Sequence, residues 1–322
     1  SVASRLIGKE LPEDTFLILN SGRYEFSNKG VDLFIDAIGH LKNRESEKEV
    51  LGVIALPAGT IGPLPKLVDH SNEPIEGRDK LITHLFSHME YDPVLERIQK
   101  NEIYNTANEK THIIFIPSYL DGRDGVFNIE YYDFLMGFDF TVFPSYYEPW
   151  GYTPLESVAF KIPTITTAYS GFGKWVRENF NLEQEAVAVL DRSKAMQKEL
   201  PIAIAEVINN YMQHADIEAV QSQAVEISSE AEWDKLIEKY FEAWDIALNV
   251  SDERKSQIIK PSEKSRFEVE TPTYSHQPSW KKILVKNVFP QALDPLKKLV
   301  NNLWWTWDDE ATTLLNSVGV NR

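Results

Sequence analysis

The sequence FPSYYEPWGYTPLE at residues 143–156 predicts the end of a buried strand, a rigid loop and the first turn of a helix. Pro149 disfavours helical backbone at Glu148, which places this carboxylate in the loop. The Thr153–Pro154 pair suits the N-cap and first position of a helix, so Glu156 is expected inside the first turn. Because a helix N-terminus carries unpaired N–H groups and partial positive charge, the stretch predicts a phosphate site between two carboxylates.

Apolar strands alternate with helical segments on both sides of this stretch. Strands are predicted at 15–19, 50–58, 112–116, 138–143, 164–167 and 186–190, and helices at 30–41, 78–89, 93–107, 131–136, 154–160, 195–213, 218–227 and 231–248. Strands rich in Val, Ile and Phe without clean polar alternation indicate a parallel sheet covered on both faces. The sequence therefore predicts an α/β fold, a doubly wound parallel sheet with a helical C-terminal extension. Ligands of such sheets bind beyond the carboxyl ends of the strands.

The composition changes after the last predicted helix of this domain. Residues 251–277 are charged and carry Pro and Ser, which is typical of a linker. Residues 278–322 are too few for an independent core, so they either pack on the main domain or begin a truncated second domain. We expect a main domain at 1–250, a linker at 251–277 and the start of a second domain at 278–322.

Composition and charge narrow the function classes. The chain has 322 residues, 43% of them hydrophobic, enough to bury a full core. Its formal net charge of −16 argues against partners such as nucleic acid or an anionic membrane, which need clustered Lys and Arg. The absence of cysteine excludes disulfides and thiolate catalysis. With no targeting signal or membrane-spanning run, cytoplasm is the expected location.

The loop SGRYEFSNKG at residues 21–30 offers the cations Arg23 and Lys29 between a strand and a helix. Lys29 lies at the positive end of the helix dipole, which is unfavourable unless an anion joins it. The loop is therefore a candidate diphosphate site. The alternative is a solvated turn with incidental charges.

The paired glutamates also have a purely structural interpretation. Glu156 fits a capping box, in which its carboxylate returns to the backbone N–H of Thr153. Capping does not explain Glu148, a carboxylate in an aromatic loop that gains nothing from burial unless it contacts a polar ligand.

Other polar and aromatic residues are weaker candidates. Tyr119 and Tyr131 could stack on a nucleobase, although core packing explains either one alone. His84 and His88 have metal-ligand spacing on a predicted helix, but no third ligand supports a metal, and we expect both to be solvated. Residues 170–173 (SGFG) are expected to form a flexible turn, with close ligand approach as the alternative.

Together, the loop at residues 21–30, the run at 143–156 and the segments PTITT at 163–167 and SGFG at 170–173 resemble glycogen synthase of the animal and fungal type. The resemblance implies the C-terminal, donor-binding, Rossmann-like half of a GT-B glycosyltransferase. It implies that Arg23 and Lys29 neutralise the donor diphosphate and that Glu148 contacts the transferred glucose. The resemblance also implies Tyr119 and Tyr131 as stacking positions for the base, the backbone amides around Gly151, Tyr152 and Thr153 for the distal phosphate, and Glu156 for the ribose hydroxyls. Gly22 and Trp150 are further donor-binding residues that it implies.

The implied reaction is retaining transfer of glucose from UDP-glucose or ADP-glucose to the non-reducing end of an α-1,4-glucan such as glycogen, without metal or cofactor. The N-terminal GT-B domain has no counterpart in this chain. We therefore expect weak nucleotide binding and no polymer synthesis by the chain alone. Residues 294–307 separately resemble the start of a bacterial α-glucan phosphorylase.

The chain departs from the family in two places and leaves other functions open. It has no arginine between Arg192 and Arg254, where eukaryotic relatives carry a regulatory arginine-rich helix, so activation by glucose 6-phosphate is not expected. The stretch 59–110 is short where those relatives carry a long helical insertion used in assembly, so their tetramer is not expected. Alternatives are a non-catalytic glucan-binding module, or another GT-B enzyme such as a sucrose or trehalose-phosphate synthase.

Overall fold

The computed structural model describes residues 1–44, 48–69, 73–182, 186–193, 196 and 198–257. The strands are β1 Phe16–Ser21, β2 Val50–Ala55, β3 Thr60–Pro63, β4 His84–Phe86, β5 Thr111–Ile116, β6 Phe140–Val142, β7 Thr164–Thr167 and β8 Val187–Leu190. The helices are α1 Val2–Ile7, α2 Val31–Lys42, α3 Pro65–Val68, α4 Pro93–Lys100, α5 Tyr131–Leu135, α6 Tyr152–Ala159, α7 Gly171–Asn179, α8 Leu200–His214, α9 Ile217–Glu230 and α10 Trp233–Gln257. Short 3-10 turns lie at Gly77–Leu81 and Met89–Tyr91.

The predicted doubly wound parallel sheet is confirmed. In the described part of the chain, six strands pair in parallel in the order β5-β2-β1-β6-β7-β8. Numbered by their succession within this sheet, that order is 3-2-1-4-5-6, the arrangement of dinucleotide-binding folds. The strand order reverses between β1 and β6, so the chain leaves these two neighbouring strands towards opposite edges of the sheet. A crevice therefore opens between the loops at their carboxyl ends. An antiparallel pair, β3 and β4, stands apart from the main sheet.

The strand sequences explain why helices cover both faces. Every residue of β2 and β5 is buried, as the continuous apolar runs predict. Ile113 and Phe115 point into a core with α2, α4 and α8, whereas Ile114 and Ile116 point into a second core with α1 and α5. A third apolar cluster lies between β8 and helices α6, α7 and α9. The sheet therefore has a core on each face, which fixes the loops at its carboxyl edge.

Several predicted elements were wrong in kind or extent. The predicted helix at 78–89 is a 3-10 turn followed by strand β4, because this segment pairs with β3 and not with itself. The SGFG segment, predicted as a flexible turn, is the start of helix α7. Helix α10 continues to Gln257, into the predicted linker.

The chain divides after Ser251 into two units. Of the second unit, only residues 252–257 belong to the described part of the chain. The predicted elements and phosphorylase-like segment at 278–322 lie outside the described residues. No helix in the described ranges is both long and apolar enough to traverse a bilayer.

Candidate functional site

The loops that follow β1 and β6 meet at the crevice where the sheet reverses its winding. The backbone N–H of Tyr146 donates a 2.7 Å hydrogen bond to the carbonyl of Asn28. Gly30, the N-cap of α2, has φ 68°, and a Cβ at this position would overlap the carbonyl of Pro144. A glycine is therefore required there both for its backbone conformation and for the close approach of the loops.

An ion pair joins these loops. The ammonium of Lys29 contacts the carboxylate of Glu148, and their side chains are only 13% and 21% exposed. Gly22 lies beside this pair, since a Cβ there would stand 3.9 Å from Cε of Lys29. The structure thus brings together three predicted site residues that are far apart in sequence, with a partly desolvated cation and carboxylate in direct contact.

The backbone of Glu148 is fixed by the start of α7. Its N–H donates to the carbonyl of Tyr169 at 3.3 Å, and its carbonyl accepts from Gly171 at 3.1 Å. Ser170 caps α7 by accepting a 2.9 Å hydrogen bond from the N–H of Gly173. The SGFG segment is therefore a rigid support for the loop that carries Glu148.

Helix α6 begins two residues earlier than the sequence predicts. Gly151, with φ 112°, is the N-cap, so Thr153 and Pro154 occupy its second and third positions. No side chain caps this end, which leaves the N–H groups of its first turn available to an anion. A Cβ at Gly151 would lie 3.6 Å from Cγ of Glu148, so this helix end adjoins the ion pair.

Glu156 is not part of a capping box. Its carboxylate accepts a 2.9 Å hydrogen bond from the hydroxyl of Tyr132. The predicted hydrogen bond to the backbone N–H of Thr153 required Thr153 to be the N-cap, but the N-cap is Gly151. Burial raises the pKa of Glu156 above its ordinary value, and the hydrogen bond from Tyr132 opposes that shift. The carboxylate in turn raises the pKa of Tyr132.

Tyr131 connects this carboxylate to the end of β1. Its hydroxyl shares a 2.8 Å hydrogen bond with Ser21, and its ring lies 5.5 Å from the ring of Tyr132. Burial raises the pKa of Tyr131 to about 12. Ser21 and Tyr132 were missed by the sequence analysis. The adjacent tyrosines at the start of a predicted helix were the signal that would have found the second of these.

Four other predicted site residues have side chains that face solvent or pack against apolar neighbours. The side chain of Arg23 is 79% exposed and its guanidinium is 3.2 Å from Glu25. Tyr119 and Tyr152 are 75% and 63% exposed. The ring of Trp150 is partly buried and packs against Phe172 and Trp175 beside the third apolar cluster.

The expectation that His84 and His88 are solvated on a helix was wrong for the first of them. His84 is in β4 and fully buried, and its ring nitrogens contact the carbonyl of Asp124 at 2.9 Å and the hydroxyl of Thr83 at 2.8 Å. Among the residues the structure describes, no group of three or more His, Asp or Glu side chains is arranged to hold a metal ion.

The family model and the curated relatives that match this chain point to the same family. A family model described as "Glycogen synthase" matches residues 76–289, more than half of the chain. The chain is similar to "Glycogen [starch] synthase" of Neurospora crassa, with 27% identity over 74% of this chain and 42% of the relative. It is also similar to the human liver "Glycogen [starch] synthase", with 27% identity over 52% of this chain and 31% of the relative.

The chain spans less than half the length of these curated relatives. Among solved structures, a sucrose-phosphate synthase from Thermosynechococcus elongatus aligns with a TM-score of 0.42 and 17% identity, over 77% of this chain and 49% of that one.

Proposed function

The chain belongs to the glycogen synthase family, and from that premise we propose that it binds the nucleotide-sugar donor of a glucosyltransferase. The donor is UDP-glucose or ADP-glucose, and the acceptor is an α-1,4-glucan. The observation that carries this proposal is the contact between Lys29 and Glu148 beside the uncapped N-terminus of α6. A cation and free N–H groups suit a diphosphate, and the carboxylate suits sugar hydroxyls.

In the proposed complex, Lys29 exchanges its contact with Glu148 for the donor diphosphate. The N–H groups of Tyr152 and Thr153 bind the distal phosphate, and Gly22 leaves room for it at the end of β1. As the bond from glucose to phosphate breaks, negative charge grows on the diphosphate. A fixed cation and helix N–H groups stabilise that charge without a metal. The exposed side chain of Arg23 rotates to the same phosphates.

Glu148 is released from Lys29 by the same exchange and contacts the transferred glucose, whose configuration is retained. Glu156 binds the ribose hydroxyls, for which its position beside Tyr132 is suitable. Tyr131 and Tyr119 flank the base, and Trp150 holds the phosphate loop from behind through its packing on Trp175.

The donor site proposed here is one half of a transferase site, and we propose that a further GT-B domain supplies the acceptor half. We propose that residues 1–250 form the donor domain, 251–277 a linker and 278–322 the start of a second domain. Donor binding is therefore the activity to test on the chain itself, and polymer synthesis belongs to an assembly with the acceptor domain.

A specific observation favours a second candidate, a glucan-binding module. Trp233 and Tyr240 of α10 are 60% and 48% exposed, and with Trp150 and Trp175 they line a groove of about 1420 Å³. Exposed aromatic faces of this kind can stack on sugar rings. In that case the chain would bind glucan without binding a nucleotide.

Calorimetric titration separates the candidates. UDP, ADP and a maltooligosaccharide are titrated into the chain and into Lys29→Met, with Lys100→Met, an exposed lysine at the end of α4, as the matched control. The transferase proposal predicts nucleotide binding that weakens by about 1.5–3 kcal/mol in Lys29→Met, the scale of a charged hydrogen bond, and is unchanged in the control. Binding of the oligosaccharide without either nucleotide would overturn it in favour of the second candidate.

A further inference from the structure

Arg192 contacts the β1 and β6 loops from a third, distant part of the chain. It follows strand β8 and is only 4% exposed. Its guanidinium donates from Nη1 to the carbonyl of Pro144 and from Nη2 to the carbonyl of Ser27 at 3.1 Å. The same guanidinium lies over the ring of Tyr146, 5.3 Å from its centroid.

Burying the guanidinium of Arg192 in this way costs free energy of desolvation. A buried guanidinium loses its hydration, and the hydrogen bonds described go to neutral carbonyls and not to a carboxylate. Nε of Arg192 is buried without a hydrogen-bond partner, as is Oδ1 of the neighbouring Asp32. Since apolar side chains of similar volume commonly stabilise such a site as well or better, the geometry of the guanidinium is the feature that requires an explanation.

The two accepting carbonyls identify what that geometry controls. Ser27 lies two residues before Lys29 in the β1 loop, and Pro144 lies four residues before Glu148 in the β6 loop. The planar guanidinium presents its N–H groups in a fixed fork, so it holds the two carbonyls at a set separation. The cation–π contact with the ring of Tyr146 further restrains the guanidinium.

We propose that Arg192 is a positioning residue for the donor site, which sets the separation of Lys29 and Glu148 by clamping the loops that carry them. This inference rests on the proposed function for its consequence, diphosphate affinity, and on geometry alone for the clamp. Arg192 itself does not touch the ligand. It acts through the backbone of Ser27 and Pro144.

A cavity makes the clamp accessible to chemical rescue. Arg192 lines a cavity of about 660 Å³ together with Asp32, Lys198 and the ion-paired Asp36 and Arg97. In Arg192→Ala the space of the missing side chain opens into this cavity, which admits a guanidinium ion. In Arg192→Lys the positive charge remains, but a single ammonium on a flexible stem lacks the planar fork.

The test measures UDP and ADP affinity by calorimetry for the wild type, Arg192→Ala and Arg192→Lys. We expect both variants to lose about tenfold or more in affinity, the scale of one charge-assisted hydrogen bond. Millimolar guanidinium chloride, with sodium chloride at equal ionic strength as the control, should restore Arg192→Ala and leave Arg192→Lys unchanged. The loss should largely disappear in a Lys29→Met background, because the loop spacing then no longer serves a cation.

Two results would overturn the proposal. If Arg192→Lys binds nucleotide with wild-type affinity, the positive charge of Arg192 is sufficient and its planar shape has no role. The second is a loss of affinity in Arg192→Ala that guanidinium does not restore, although urea unfolding shows that this variant is folded. If Arg192→Ala does not fold, Arg192→Lys and Arg192→Gln carry the affinity test. If the wild type binds no nucleotide, the proposed function fails independently. A crystal structure of Arg192→Lys then tests the clamp by itself, since an unbroken contact between Lys29 and Glu148 would refute it.

Discussion

Replacing Gly30 by alanine tests the close approach of the two site loops. The glycine has φ 68°, and a Cβ there would overlap the carbonyl of Pro144. A left-handed backbone costs a residue with a side chain roughly 1–2 kcal/mol. Displacing the neighbouring backbone adds about 1–3 kcal/mol, the range for overpacked sites. Gly30→Ala is therefore expected to lower the free energy of unfolding by about 2–5 kcal/mol.

Two other glycines separate these contributions. Gly8 has φ 84° but a Cβ would meet nothing within 4 Å, so Gly8→Ala should cost only the backbone contribution. Gly171 is outside the left-handed region, but its Cβ would overlap the carbonyl of Pro149, so Gly171→Ala isolates the overlap. Urea unfolding of the three variants measures each cost. If Gly30→Ala is no more costly than Gly8→Ala, the loops are not in the contact described.

Four further results are expected. Tyr132→Phe removes the hydroxyl that donates to Glu156 and should weaken nucleotide binding by about 0.5–1.5 kcal/mol in calorimetry while leaving inorganic pyrophosphate binding unchanged; equal losses for both ligands would count against a ribose contact. Ser170→Ala removes the cap of α7 and should cost about 0.5–2 kcal/mol in urea unfolding; no loss of stability would mean that α7 does not depend on this cap. Burial raises the pKa of Tyr131 from 10.0 to about 12, so the native state holds the phenol proton more tightly than the unfolded chain does. The contribution of this proton to stability is complete below pH 10 and is lost as the pH rises towards 12. Tyr131→Phe should therefore make the alkaline decline in the free energy of unfolding less steep, and an unchanged slope would contradict the burial of Tyr131. Burial also raises the pKa of Glu156 from 4.5, so the free energy of unfolding should decline as the pH rises from 4.5 through the raised native pKa. Glu156→Gln should flatten this decline in thermal melts measured over a series of pH values, and a steeper decline would mean that the native state does not favour the protonated carboxyl.

The strands of the main sheet were predictable because each is a short apolar run between turn residues. The predicted bounds of β7 are those found, and β5 differs by one residue. Prediction failed where pairing decided the outcome. The charged residues around His84 suggested a helix, but this segment pairs with β3. The imidazole of His84 is hydrogen-bonded to the carbonyl of Asp124, 40 residues away in sequence.

The site was predictable as a set of loops and not as a set of contacts. Lys29 and Glu148 are 119 residues apart, and they meet because β1 and β6 are neighbours in the sheet, a strand order that no local pattern specifies. Local rules also misplaced the start of α6, since the left-handed Gly151 takes the N-cap position that Thr153 was expected to fill. Arg192 carried no local signal, because its role depends on two loops remote from it in sequence.

The most direct measurement is a crystal structure of the chain soaked with UDP or ADP. The account predicts a diphosphate between Nζ of Lys29 and the N-terminus of α6, with Glu148 no longer bonded to Lys29. A nucleotide bound elsewhere, with Lys29 and Glu148 still in contact, would contradict it.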